Sequence, residues 1–185
     1  MPREKARVLQ SKVVYAGRVF GVRLDRVREP GGIVVTRDVV THSGSVVLLP
    51  VFPDGRILLV RQYRHAVGQS LWELVAGRIE AGEAPLSAAR RELLEESGYT
   101  ARRYRRLVDF FPTPGFVSER MIVYCAEDLR PGRARPEADE RISARRFSLA
   151  ELERMMRRGA LRDGKSIAGI LFYLHFLRKK RRVTR

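Results

Sequence analysis

Cysteine, tryptophan and histidine are nearly absent from this chain: of 185 residues, one is Cys, one is Trp and three are His. The lone Cys125 excludes an internal disulfide and points to a reducing cytoplasm. It lies in the apolar segment Met121-Ile-Val-Tyr-Cys-Ala126 and reads as a small buried hydrophobe rather than a nucleophile. His42, His65 and His175 are scattered without ligand spacing, which argues against a zinc site. Also missing is any run near the roughly 20 apolar residues that a bilayer span requires. Val46 to Phe52 is among the longest apolar stretches, and Met1-Pro-Arg-Glu-Lys5 carries none of the apolar character of a signal peptide. Internal repeats and low-complexity linkers are absent too.

What remains is an ordinary globular composition, 44% hydrophobic, on a chain long enough for one domain or one domain with a small addition. Its charge is less ordinary. The formal net charge is +16, with basic clusters at 102–106, 141–146, 154–158 and 178–185. Such charge attracts polyanions by steering and counterion release. The clusters lack a nucleic-acid motif with interleaved aromatics, and a solvated charged surface explains them as well. Nucleic acid therefore stays open as a partner, and charge alone does not decide function.

The first half of the chain patterns as strands. Val13 to Tyr15, Val19 to Val27 and Ile33 to Val40 are rich in β-branched residues, with Pro30-Gly31-Gly32 as the turn between the last two. Val46 to Phe52 and Arg56 to Gln62 flank Pro53-Asp54-Gly55, a second hairpin signal. A short strand is expected at Trp72 to Ala76, with Trp72 in the core. The period then changes. Pro85 suits a first helical turn and Gly98 the position past a helix end. Leu86, Ala89 and Leu93 make one apolar face between them. Further strands are expected near Tyr104–Phe111, Glu119–Ala126 and Arg141–Phe147. Ser148-Leu-Ala-Glu151 is a capping box for a helix closed by Gly159. A last helix is expected from Ser166 to Lys180, burying Ile167, Ile170, Leu171, Leu174 and Leu177.

On the 85–97 helix, Glu95 and Glu96 each lie within about 60° of Glu92. Like charges so placed weaken an isolated helix. A divalent cation among them would explain the cluster, and hard oxygen ligands select Mg²⁺ or Mn²⁺. Glu83 adds a fourth carboxylate, and Arg91 offers a planar fork to hold one of them. Acidic helix faces are common, so the three glutamates alone would not decide the matter. The spacing does. Gly77, five residues, Glu83, seven residues, Arg91-Glu92-Leu93, one residue, Glu95-Glu96, one residue, Gly98 reproduces the whole Nudix box. Fixed identities at that spacing arise by chance on the order of once in 10⁸ windows. The chain thus resembles the Nudix hydrolase superfamily, departing only at Tyr99, where an aliphatic residue is usual.

Val60-Arg-Gln-Tyr-Arg64 and Leu71-Trp-Glu-Leu-Val-Ala-Gly77 look like the ADP-ribose pyrophosphatase branch, although that branch usually has Pro where Val75 stands. The branch also carries a proline about fifteen residues after the box, a place matched by Pro114. The resemblance implies an α/β (α+β) fold: an α/β/α sandwich with a mixed sheet, preceded by a small N-terminal antiparallel β-sheet. Residues 1–43 would form that sheet and mediate dimerisation, and 44–185 the hydrolase domain. The implied reaction is Mg²⁺-dependent attack of water on the diphosphate of ADP-ribose, or of a close nucleoside diphosphate sugar. By position Glu92 and Glu96 would bind metal, with Glu95 and the Ala76 carbonyl as further ligands and Arg91 orienting Glu83. The general base resembles a glutamate on a later loop. Glu140 is the choice, with Glu137, Asp139 and Glu95 as competitors. Arg61 and Arg64 would contact phosphate or ribose. Phe20 would stack on adenine from a neighbouring subunit, and Arg37 and Glu80 would reach across a homodimer. Pro114 and Glu119 would approach the substrate. Two other readings stay open: a different substrate (a nucleoside triphosphate, a dinucleoside polyphosphate or capped RNA), and a nucleic-acid-binding protein on a retired scaffold.

Overall fold

A computed structural model of the protein describes residues 5–135 and 141–177, in two compact units: the first includes residues up to Gly44 together with Phe111–Arg120, and the second Ser45–Phe110 together with the chain from Met121 on.

The first unit is a three-stranded antiparallel sheet of β1 (Arg7–Ala16), β2 (Gly21–Arg28) and β3 (Val34–Thr41), in that spatial order. The Pro30-Gly31-Gly32 turn forms as expected, closed by hydrogen bonds from Gly32 N–H to the Glu29 carbonyl and from Glu29 N–H to the Ile33 carbonyl. Residues 111–120 run beside β3. The Val40 N–H donates to the Phe116 carbonyl at 2.8 Å, and the Ser118 N–H to the Val40 carbonyl at 2.9 Å.

The second unit is built on β4 (Ser45–Pro50), whose six residues are all buried. Successive strand side chains point to opposite faces, so a run of this kind is stable only when both faces are covered. Val47 and Leu49 enter one core with Val123, Leu152 and Ile170, while Val46 and Leu48 enter another with Val75, Ala89 and Leu93. Around β4 lies a mixed sheet in the order β7 (Val75–Arg78), β4, β9 (Met121–Pro131), β8 (Tyr99–Phe110). The β4–β9 pairing is parallel and the other two are antiparallel. Helix α1 (Pro85–Ser97) covers one face; α2 (Leu149–Arg157) and α3 (Gly164–Phe172) pack into the other core. A second, antiparallel sheet has the order β10 (Ser143–Phe147), β5 (Ile57–Arg64), β6 (Gln69–Glu73). This is the expected α/β/α sandwich with a separate N-terminal sheet.

Three local expectations are corrected. The turn at Pro53-Asp54-Gly55 forms, but β4 and β5 meet only at one bridge, Val51 with Ile57, and then enter different sheets. All of β4 and residues Ile57, Leu58, Leu59 and Val60 of β5 are buried on both faces, and one ribbon could not cover four faces. The expected strand from Trp72 to Ala76 is broken at Leu74, between β6 and β7. There the Leu74 N–H donates to Ser166 Oγ at 2.7 Å instead of to a strand partner. The last helix begins at Gly164, capped by Asp163 through the Ser166 N–H, and gives way to a π-type stretch at Tyr173–Leu177. Its buried stripe is Ser166, Gly169, Ile170 and Tyr173, at intervals of three and four residues, which leaves Leu171 half-exposed. Trp72 packs against the larger core, its ring edge-on to Phe147 at 4.9 Å. Cys125 is fully buried.

Candidate active site

Helix α1 starts with Pro85 in its first turn and ends at Gly98. The Gly98 backbone, at φ 69°, closes the helix by donating its N–H to the Leu94 carbonyl. A left-handed cap of this kind suits glycine. Ala88, Ala89 and Leu93 are fully buried against β4 and β7, and this anchors the helix. The same face buries Glu92 and Glu96 almost completely, at 9% and 7% exposure. Two acidic side chains on the buried face of a helix are costly unless something compensates their charge.

Arg91 compensates part of it. Its Nε donates to Glu83 Oε1 (3.1 Å) and its Nη2 to Glu83 Oε2 (3.0 Å) and the Arg78 carbonyl (3.0 Å). Its Nη1 donates to Glu92 Oε1 (2.6 Å) and Glu95 Oε2 (3.1 Å). A guanidinium has five N–H donors, and all are engaged here. The hydrogen bonds of Arg91, supported by the Glu80 N–H, hold the Glu83 carboxyl below the usual carboxylate range, and the glutamates in turn raise Arg91. Glu80 acts here through its backbone: its N–H donates to Glu83 Oε2 at 3.1 Å, and its own side chain is exposed.

Strand β7 supplies the opposite wall. The Ala76 N–H donates to Glu96 Oε2 at 3.3 Å. A Cβ on Gly77 would overlap the Glu92 carboxylate, so only a glycine lets this side chain lie against the strand. Ala76, Glu83, Arg91, Glu92, Glu95 and Glu96 are therefore gathered in one place, with Glu80 at the edge. Among the described residues no three carboxylates converge as a preformed metal cage, and Arg91 engages oxygens of Glu83, Glu92 and Glu95. The donor set nevertheless suits a hard cation. It is all oxygen, lies on a rigid helix, and faces a backbone whose missing Cβ keeps space clear at Glu92.

Next to this cluster is an ionic network that sequence reasoning missed. Arg64 grips the buried Glu73 in a two-pronged pair, Nε to Oε1 at 2.8 Å and Nη2 to Oε2 at 2.7 Å. Lys165 donates to the same carboxylate and, at 2.9 Å, to Asp163 Oδ1. Asp163 also accepts from the Ser166 hydroxyl, which itself accepts the Leu74 N–H. Burial pushes Glu73 up, but Arg64 and Lys165 outweigh it and hold the carboxyl below its ordinary range. Three of these residues come from the far end of the chain, so no local spacing revealed them. Arg61, by contrast, is exposed on β5, opposite Trp72.

The remaining candidates belong to the first unit. Phe20 is 45% exposed, with its ring 5.5 Å from that of Tyr15. Arg37 is paired with Glu29 at 2.6 Å. Pro114 is exposed. Glu119 lies 3.7 Å from His42 Nδ1, but that nitrogen accepts the Gly44 N–H and so is not the donor of an ion pair. Glu140, Glu137 and Asp139 lie outside the described residues.

Comparison with known proteins bears on this arrangement. Residues 41–169 match the NUDIX domain. The chain belongs to the Nudix family. Among its Nudix relatives are an ADP-ribose pyrophosphatase of Mycobacterium tuberculosis, 41% identical over 88% of this chain and 80% of that protein, and one of Bacillus subtilis, 34% identical over 72% of each. The crystal structure of an ADP compounds hydrolase has the same fold, with a TM-score of 0.83 over 96% of both chains at 21% identity. Nudix ADP-ribose pyrophosphatases are generally divalent-metal dependent. Among the described residues no helix is long and apolar enough to cross a membrane.

Proposed function

We propose that this Nudix protein hydrolyses the diphosphate bond of ADP-ribose, or of a close nucleoside diphosphate sugar, to AMP and a sugar phosphate in a Mg²⁺-dependent reaction. The observation that carries the proposal is the pair of buried carboxylates, Glu92 and Glu96, held against Ala76 and Gly77. Relatives that act on ADP-ribose favour that substrate over a triphosphate or a capped RNA.

Glu92, Glu96, Glu95 and the Ala76 carbonyl would hold the metal. When bound, a divalent ion neutralises diphosphate charge and makes hydroxide available near neutral pH. Mg²⁺ is the proposed ion, with Mn²⁺ as substitute. Arg91 orients Glu83, Glu92 and Glu95 through its hydrogen bonds, which preserves the acceptor set. Arg64 and Arg61 bind phosphate or ribose oxygens, and Arg64 is held in place by Glu73. As the bridging P–O bond breaks and the bond to the water oxygen forms, a carboxylate must take the water's proton. Glu140 is the proposed base, with Glu137, Asp139 and Glu95 as alternatives. The Arg135 N–H donates to the Glu95 carbonyl at 2.9 Å, one residue before the segment that carries the loop candidates.

Residues 1–43 are proposed as the dimerisation element, with Phe20 stacking on adenine, and with Arg37 and Glu80 reaching across a homodimer. Pro114 and Glu119 would approach the substrate. In support, the first unit leaves large apolar side chains open to solvent, among them Val13 at 66% and Ile33 at 68% exposure. The lone buried thiol fits a cytoplasmic location.

AMP release from ADP-ribose, ADP-glucose, NADH, diadenosine polyphosphates and nucleoside triphosphates, each with Mg²⁺, tests the reading. ADP-ribose is expected to be turned over fastest. Equal or better turnover of a triphosphate would overturn it.

A further inference from the structure

The side of α1 away from the carboxylates faces a second feature, which the hydrolytic reading leaves unused. Arg90 projects roughly 160° around the helix from Glu92. Between α1 and the edge strand β8 lies a cleft of about 450 Å³, lined by Leu86, Arg90, Arg102, Tyr104, Arg105 and the Arg103–Glu127 pair. Arg103 is further neutralised by Asp128 at 2.9 Å. Arg90, Arg102 and Arg105 have no acidic partner among the described residues, so this wall is left strongly positive.

We propose that this cleft binds single-stranded nucleic acid through its phosphodiester backbone. Charge complementarity limits the ligand to an anion, and the shape of the cleft selects further. The guanidinium of Arg90 lies over the Tyr104 ring, 5.7 Å from its centre, and the ring also packs against the core beneath α1, which leaves little aromatic surface for a base to stack on. The cleft is open to solvent and rimmed by arginines. A small phosphate ester would therefore gain only one or two exposed ion pairs, each worth little in water. A polyanion gains the sum, together with release of its condensed counterions. Arg106, next on β8, is paired with Asp109 at 2.9 Å, but the exposed Arg130 lies opposite Thr100 on the neighbouring strand and adds a further cation near the cleft. The result is a basic cleft that engages a strand through its phosphates alone, without the aromatic stacking that other strand-following grooves add.

The test is fluorescence anisotropy of labelled twelve-nucleotide oligo(U) and oligo(dT) on the full chain without divalent metal, so that it does not depend on catalysis. Binding is measured across a salt series. In Arg90→Gln/Arg102→Gln/Arg105→Gln, affinity at low salt is expected to fall at least tenfold. The slope of log K against log salt should shrink by about two, since each lost phosphate contact contributes roughly 0.7. ADP-ribose turnover and melting temperature of the variant should stay close to wild type. A control that removes the same charge from α2, Arg154→Gln/Arg157→Gln/Arg158→Gln, should retain most of the binding. Oligo(U) and oligo(dT) should bind alike, because the contact is to the backbone. Equal losses in the two triple variants would overturn the proposal, as would full competition by polyglutamate of matched charge. So would a preference above tenfold for one of the two sugars.

Discussion

Gly77 and Glu92 occupy overlapping space: the position a Cβ would take on Gly77 is filled by the Glu92 carboxylate. Gly77→Ala must therefore displace that side chain or push β7 away from α1. A misplacement of about 1 Å at a reacting centre can cost roughly 100-fold in rate. We expect a loss of that order in kcat for ADP-ribose while the far-ultraviolet circular dichroism spectrum is unchanged. Activity within a few-fold of wild type would show that the position of Glu92 does not matter to the chemistry.

Glu96→Gln keeps the shape of the side chain and its acceptor for the Ala76 N–H but removes a charge. The expected result is a rate reduced by orders of magnitude with the fold intact. Isothermal titration should show weaker Mg²⁺ binding in the same variant. A rate near wild type would mean that Glu96 is not a metal ligand.

Arg91 holds Glu83, Glu92 and Glu95 at once, and a lysine in its place has no planar fork to do so. Arg91→Lys is expected to lower kcat with a smaller effect on KM, because the substrate-contacting residues are untouched. A change confined to KM would instead place Arg91 on the substrate.

Chelation with EDTA should abolish turnover, and Mg²⁺ or Mn²⁺ should restore it. Full activity in the chelated enzyme would rule out the metal-assisted reading.

Glu73, folded, has its carboxyl held below its ordinary range, so it binds a proton less readily than in the unfolded chain. The stability this contributes is present above the unfolded value, near 4.5, and is lost as pH falls through the folded value. Glu73→Gln leaves Arg64 and Lys165 without their common partner, and breaking a buried pair costs about 3–5 kcal/mol. Urea unfolding should show a large loss at pH 7 and a smaller one under acidic conditions. A loss that does not depend on pH would mean that packing, and not charge, is what the residue supplies. Ser166→Ala, which strips the Leu74 N–H of its acceptor, should cost about 1–3 kcal/mol in the same assay.

The acidic helix was legible without any structure because its information is local. Pro85, Gly98, the apolar spacing of Ala89 and Leu93, and the carboxylates at three- and four-residue intervals all lie within one continuous segment, and helix geometry converts spacing directly into a shared face. The same holds for the Ser148–Glu151 capping box. Tertiary structure alone decided which strands pair, since β4 and β5 share a turn and yet join different sheets once both faces of each must be covered. It also decided the break at Leu74, where a serine 92 residues away supplies the hydrogen bond that a strand neighbour would otherwise give. The Arg64–Glu73–Lys165 network and the arginine cleft behind α1 belong with these. Ionic contacts between distant segments leave no periodic trace in a sequence, because nothing but the folded chain brings their charges within reach of one another.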